Sequence, residues 1–190
     1  MKQLGTRPLF SALVALLLTM GCVGKTPEEQ LASAREYLQN GDTKSATIEI
    51  KNALQANPDS GEARYLLGTV LLKEGNASAS EIEFRKALAA KHPDSLVVPE
   101  LARAMLLLGQ AKKLTDEFGS SQFDKPAANA SLQTSLAAAY GVLGKPDLAQ
   151  AALAAALKAD SGHAPALLQS ARQKTAARDF EGALLLTDQV

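Results

Sequence analysis

The 190-residue chain carries 20 Lys plus Arg against 20 Asp plus Glu, so its formal charge is zero. It lacks the clustered basic surplus that nucleic-acid binding requires, and no nucleic-acid partner is expected. A single cysteine excludes an internal disulfide, and an aromatic content of 4% without tryptophan excludes a core of large side chains. Abundant alanine points instead to helices packed closely together.

The chain begins like an export signal. Lys2 and Arg7 precede a largely apolar run from Leu9 to Met20, and the small Gly21 stands before the sole cysteine, Cys22. The run is shorter than the roughly 20 residues a membrane-spanning helix needs, and it fits the apolar region of a secretory signal. The junction resembles the bacterial lipoprotein box, in which the signal (residues 1–21) is cut before a cysteine that becomes acylated. It departs from that pattern at Thr19, where leucine is usual, although Leu18 is adjacent. An ordinary cleaved signal with an incidental cysteine, and an uncleaved anchor, are the competing readings. Several acyl chains anchor stably where one does not. Val23 in place of aspartate directs such lipoproteins to the periplasmic face of the outer membrane; without acylation the chain would be a soluble periplasmic protein. Residues 22–26 are then a short tether. Removal of residues 1–21 takes away Lys2 and Arg7, leaving 18 basic against 20 acidic residues and a charge of −2.

From residue 27 onward the sequence repeats itself. Gly41, Gly75, Gly109 and Gly144 are spaced by 34, 34 and 35 residues, and Arg178 follows 34 later. Seven residues before these hinges stand Ala34, Gly68, Ala102, Ala137 and Ala171. Nine after stand Ile50, Phe84, Phe118, Leu153 and Thr187, and small residues such as Ala46, Ala53, Ala87, Ala149 and Ala156 recur at five and twelve after. Apolar positions at helical spacing on both sides of each hinge predict two amphipathic helices per unit. The hinge glycine supplies the left-handed conformation that ends a helix. The small residue lets the two helices approach, and the larger one fills the gap between them. A 34-residue period with this pattern is the tetratricopeptide (TPR) signature. The predicted fold is therefore all-α, an α-solenoid of tandem TPR units forming a right-handed superhelix.

The units run over residues 27–60, 61–94, 95–129, 130–163 and 164–190. The third is the least regular: its second helix, "AKKLTDEF", is short, and "GSSQFDKPAANA" reads as a long loop. Pro99 is expected in the first turn of that unit's first helix, where proline is tolerated. The fifth unit ends inside its second helix. Solenoids need terminal caps, so a longer parent protein or a truncated product is expected.

No enzyme, cofactor or metal site is expected. His92 and His163 fall in loops between units and are expected to be solvated, as are Glu81, Glu83, Asp116 and Glu117 on polar helix faces. A TPR array works through its concave face, lined by the first helix of each unit. Six residues before each hinge stand Arg35, Thr69, Arg103, Ala138 and Arg172, so the groove is expected to offer guanidiniums to carboxylates, with Tyr65 and Leu72 beside them. The competing reading pairs the arginines with neighbouring acids such as Glu62 and Glu100. The chaperone-type carboxylate clamp, with its Lys and Asn pattern, is absent.

"SATIEIKNALQANPDSGEARYLLGTVLLKEG" (45–75) and "EIEFRKALAAKHPDSLVVPELARAMLLLGQAKKLTDEF" (81–118) resemble the PEP-CTERM/exosortase-system TPR-repeat lipoprotein family called PrsT. The segments "IKNALQ-NP" and "VPELARAMLLLGQ" carry that resemblance. It implies a larger lipoprotein of many TPR units, acting in the envelope of bacteria that sort PEP-CTERM proteins and make exopolysaccharide. Three functions follow as expectations. The chain is a membrane-tethered scaffold binding other envelope proteins or peptide segments, a factor for outer-membrane protein assembly, or the non-catalytic N-terminal part of a larger protein.

Overall fold

The computed structural model describes residues 24–190; Cys22 and the signal segment lie outside the described residues. Ten helices follow in chain order: α1 (Pro27–Gln39), α2 (Thr43–Ala56), α3 (Gly61–Lys73), α4 (Ala77–Ala89), α5 (Asp94–Leu107), α6 (Ala111–Phe118), α7 (Pro126–Val142), α8 (Pro146–Ala159), α9 (Ala164–Ala176) and α10 (Phe180–Thr187). Among the described residues none is long and apolar enough to cross a membrane.

Each odd-numbered helix ends in the same way. The residue after each hinge donates its backbone N–H to the carbonyl five positions back: Asp42 to Tyr37, Asn76 to Leu71, Gln110 to Met105, Lys145 to Tyr140 and Asp179 to Lys174. The hinge itself takes a positive φ, at Gly41 (77°), Gly75 (80°), Gly109 (70°) and Gly144 (67°), and also at Arg178 (62°). This is the double-bonded left-handed stop that glycine favours, and Arg178 adopts it with a Cβ in place. The following helix then starts on a side-chain cap where the sequence supplies one. Asp42 accepts from the Ser45 amide, Asn76 from Ala79 and Asp179 from Gly182.

Within a unit, small meets large. Gly68 of α3 lies so near the Phe84 ring of α4 that a Cβ there would sit 2.7 Å from two ring carbons. Ser80, where other units carry alanine or leucine, is buried and donates to the Gly68 carbonyl at 2.8 Å. The alanines at the signature positions (Ala34, Ala46, Ala53, Ala87, Ala102, Ala137, Ala149, Ala156, Ala171) are all buried.

Between units the odd helices approach one another in sequence, α1 with α3, α3 with α5, α5 with α7 and α7 with α9, whereas the backbones of the even helices stay apart. Odd helices crowded on one side and even helices splayed on the other give the array a concave and a convex face.

On the convex side long charged side chains span the gap. Arg85 of α4 donates to both oxygens of Glu117 on α6 (2.9 and 3.1 Å) and to Glu81 (2.9 Å). Glu81 also accepts from Gln110 (2.9 Å) and Lys113 (3.0 Å). Glu83 is buried and accepts from Arg64 (2.8 Å) and Lys86 (2.7 Å). Glu81 and Glu83 are therefore largely withdrawn from solvent, contrary to their reading as surface charges, whereas Glu117 is ion-paired but remains exposed. The fixed positions of their partners on neighbouring helices could not be inferred from one helix face. Burial alone would raise the Glu81 and Glu83 pKa values, but the hydrogen bonds from Lys113 and Arg85, and from Lys86 and Arg64, outweigh it and hold both below the usual carboxylate value. Asp116 remains on the surface, paired with Lys112 at 2.6 Å.

Three further expectations are corrected. Pro99 lies in the second turn of α5, because the helix starts at Asp94, with the Pro93 carbonyl accepting from Leu96 and Val97. Helix α7 starts at Pro126, inside the stretch read as loop, since proline suits a first helical position. His92 and His163 are not freely solvated. The His92 ring stacks on Tyr65 with centroids 5.2 Å apart, and its Nε2 is buried without a hydrogen-bond partner among the described residues. Burial lowers the pKa of both histidines below the ordinary 6.5.

Replacing a helix-interior glycine by alanine normally gains about 1 kcal/mol. Gly68→Ala should instead lose roughly 1–3 kcal/mol by overpacking, with Phe84→Leu in the same chain recovering most of the loss in urea unfolding. Arg178→Gly should gain on the order of 1 kcal/mol by removing a left-handed side-chain residue. The pH dependence has two parts. His92 has a depressed pKa in the fold, so its contribution is present above pH 6.5 and lost as the pH falls through the folded value. Glu81 and Glu83 behave likewise, starting from their unfolded value of 4.5. Thermal midpoints measured from pH 8 to pH 3 should fall in these two steps, and His92→Phe should remove part of the first.

Candidate functional site

The concave face is built by the inward sides of α1, α3, α5, α7 and α9, and the side chains six residues before each hinge project from it. Arg35 of α1 forms an ion pair with Glu62 in the first turn of α3. Arg103 of α5 donates to Glu100, one turn earlier in its own helix, at 2.8 Å. These are the acids the sequence offers as competitors for the two arginines, and the pairs leave little unbalanced positive charge there. Both pairs are largely exposed, where such contacts contribute at most about 1 kcal/mol. A ligand carboxylate could displace either acid at small cost.

Thr69, Leu72 and Arg103, together with Lys73 and Glu100, line one cleft of about 150 Å³ between α3 and α5. It is large enough for a single side chain. Leu72 is buried at its base, and the Thr69 hydroxyl donates to the Tyr65 carbonyl at 3.0 Å. Tyr65 does not stand free in the groove. Its half-buried ring packs on Phe84, with centroids 6.0 Å apart, and on His92, and burial raises its pKa. Tyr65 also touches both hydrophobic clusters of the protein, that of α1–α3 and that of α3–α9. Its work is structural: it joins the first unit to the rest. Arg172 lies apart from the others, in a cleft between α9 and α10 with Leu168, Phe180 and Leu184.

Three residues that sequence reasoning passed over complete this face. Lys73, two residues before its hinge, lines the cleft just described. Its equivalents in the next two units are Leu107 and Val142, which are 68% and 77% exposed. The signal was available in the register itself, where Gln39 and Lys73 give way to Leu107 and Val142. Both aliphatics stand exposed at a position that is polar in the first two units. The middle of the groove thus offers a charged pair, a side-chain-sized cleft and two aliphatic projections in adjoining units.

The remaining clefts carry no evident chemistry. An open hollow near Pro58, Arg64, Lys86 and Lys91 is rich in cations, but Arg64 and Lys86 both spend their charge on Glu83. No group of three or more His, Cys, Asp or Glu among the described residues could hold a metal ion.

Comparison with known proteins agrees with this architecture. Over 62 residues the chain is 34% identical to the type IV pilus assembly protein PilF of Pseudomonas aeruginosa, a match covering 33% of this chain and 25% of that protein. Over 109 residues it is 29% identical to a TPR repeat-containing protein of the same organism, covering 56% and 44% of the two chains. The chain spans less than half the length of each of these curated relatives. Among solved structures, that of P. aeruginosa PilF matches with a TM-score of 0.67 at 19% identity, over 86% of this chain and 74% of that one. YrrB, described as a TPR protein with an unusual peptide-binding site, matches with a TM-score of 0.61 at 19% identity, over 85% and 82%. A thermophilic TPR protein of Thermus thermophilus matches with a TM-score of 0.66 at 22% identity, over 85% and 88%. At these identities the likeness is one of fold. Residues 31–95 match the tetratricopeptide repeat family. With five helical pairs, each turned by the same hinge, the chain folds as an α-solenoid of tetratricopeptide repeats.

Proposed function

We propose that this chain is a scaffold tethered to an envelope membrane through acylated Cys22, and that its concave face captures segments of other envelope proteins. The tetratricopeptide fold is a protein-interaction architecture, and the observation that carries the reading is the pair of exposed aliphatics, Leu107 and Val142, beside the Glu100–Arg103 pair and its cleft. A segment with aliphatic side chains and a carboxylate would bury apolar surface on these two and exchange its acid for Glu100 at Arg103. The tether is supported by the sequence "LLLTMGCVGK" (16–25) and by the few residues separating Cys22 from α1. Anchoring confines the groove to a thin layer and raises its effective concentration for partners in the same membrane. The resemblance to the PrsT family supports a role for this scaffold in a PEP-CTERM and exopolysaccharide-linked envelope system.

A second reading has one observation in its favour. The likeness to PilF, in sequence over 62 residues and in fold over most of the chain, favours a factor that helps assemble an envelope machine such as a pilus. The identity of co-purifying proteins separates the two: exopolysaccharide or sorting components support the first, pilus components the second.

Two measurements test the tethered scaffold. Intact mass and membrane fractionation of the native protein beside Cys22→Ala should show a wild type that starts at Cys22 with acyl mass, and a variant released from the membrane. A soluble wild type with Cys22 unmodified would remove the tether. Separately, Leu107→Ser with Val142→Ser should reduce recovery of cross-linked partners about tenfold while leaving the thermal midpoint within a few degrees, because both side chains are exposed. Unchanged recovery would remove the groove from the mechanism.

A further inference from the structure

We propose that the outward side of α2 and α4 rests on an anionic phospholipid surface, so that the groove opens away from the membrane. The inference rests on the tether at Cys22 and adds the face on which the tethered array lies.

The first observation is a surface repeated in register. On α2 the exposed side runs from Lys44 through Ile48 to Lys51, and on α4 it includes Ile82 and Lys86. The two isoleucines stand seven residues after their hinges and are 62% and 52% exposed. Neighbouring even helices thus each present one aliphatic side chain with ammonium groups beside it. The third and fourth units break the pattern, with Asp116 and Asp147 exposed on α6 and α8. The patch is confined to the two units nearest the tether.

The second observation is where the acids go. Glu49, Glu81 and Glu83, the acids within α2 and α4, keep only 15%, 12% and 11% of their side chains exposed, drawn in by Lys25, Arg85 and Arg64. Lys44 and Lys51 form no ion pair with any described residue. The outward face is therefore cationic and aliphatic, although the chain as a whole is neutral. Ammonium groups for phosphate and aliphatic side chains for the acyl boundary are what a helix lying on an anionic membrane presents.

The third observation is how the tether leaves the fold. Thr26 closes a capping box with Glu29, which fixes the backbone at the start of α1. Lys25 donates to the Ser33 hydroxyl at 3.0 Å and pairs with Glu49, the neighbour of Ile48. Cys22 is three residues before Lys25, a span of at most about 11 Å. An acyl chain entering a bilayer from Cys22 brings α2 to that same bilayer. The even helices form the convex side, so Leu107 and Val142 on the odd helices stay open to partners. A soluble acidic polymer would match the charge, but it gives the isoleucines no apolar phase and has no link to Cys22.

The test uses the chain from residue 22 onward, which contains all ten helices. Its sole cysteine is coupled to a maleimide lipid in vesicles, so the result does not depend on acylation in the cell; the intact-mass experiment reports on the tether, and this one on the face. Lysine acetylation, read by mass spectrometry, is compared with that of the same chain free in solution with Cys22 capped. On vesicles of phosphatidylcholine and phosphatidylglycerol, Lys44 and Lys51 should react roughly threefold more slowly or less, while Lys73 on the groove side reacts as before. Ile48→Glu with Ile82→Glu should restore their reactivity, with circular dichroism as the check on folding. If that variant does not fold, vesicles of phosphatidylcholine alone decide, since protection on them should be lost in large part. Unchanged reactivity of Lys44 and Lys51 overturns the proposal, as does equal protection on the uncharged vesicles. Protection of Lys73 in their place overturns it by turning the groove onto the membrane. Equal protection by soluble alginate, or by raising the protein concentration without vesicles, overturns it too, assigning the face to an acidic polysaccharide or to a second copy.

Discussion

The contact between Gly68 and the Phe84 ring shows the constraint on which the rest of the molecule depends: two helices joined by a three-residue hinge must pack close enough to exclude water. A Cβ at Gly68 would meet ring carbons at 2.7 Å, so the helix axes are as near as a phenyl ring between them permits. The distance is fixed at one end by the left-handed hinge, which turns the chain through a set of two backbone hydrogen bonds repeated in all five units. It is fixed along the length by pairing a small residue seven before the hinge with a larger one nine after it. Once that pair is set, the alanines five and twelve after the hinge are buried as a consequence. The next unit then finds a face of small residues on which to seat its own first helix. Stability in such an array is a sum of unit and neighbour terms, and here a recurrent local contact produces both.

The third unit shows what happens when the rule is loosened. Helix α6 has 8 residues where the second helices of the first, second and fourth units, α2, α4 and α8, have 13 or 14. Phe118 still closes the unit from within, and α5 packs directly on α7. On the convex side the shortened helix is tied to α4 by the Glu81, Arg85 and Glu117 network rather than by backbone contact. Tyr65 does the comparable work between the first two units, where it belongs to neither cluster alone. The weak points of the solenoid are thus bridged by long or amphipathic side chains, while its regular joints are made of alanine.

Most of the fold was legible in the sequence because its determinants are periodic. Gly41, Gly75, Gly109 and Gly144 mark the hinges, and the register extended to Arg178, which takes the same left-handed conformation. What was not legible depends on contacts between helices at positions that have no fixed period. The stacking of His92 on Tyr65 and the pairing of Arg64 with Glu83 lie within the second unit, and the partners Gln110 and Lys113 of Glu81 come from the third, at positions that differ from unit to unit. Pro99 and Pro126 were misplaced for a local reason. Pro99 was expected in a first turn, yet α5 begins a turn earlier, at Asp94, and α7 begins on Pro126, inside the stretch read as a loop. The site was only partly legible. Thr69, Leu72 and Arg103 line one cleft and Arg35 pairs with Glu62, whereas Tyr65 is absorbed into packing and Arg172 lies in a separate cleft.

The groove follows from the same geometry. Crowding the odd helices on one side leaves the positions two before the hinge exposed, polar at Gln39 and Lys73 and aliphatic at Leu107 and Val142. Adding units in one direction has a different result. Each unit covers the face behind it and presents another ahead, a small-residue face on which the next odd helix is seated. The groove therefore varies with the identity of a few exposed residues, while the advancing face repeats a chemistry that the chain satisfies internally with its own helices.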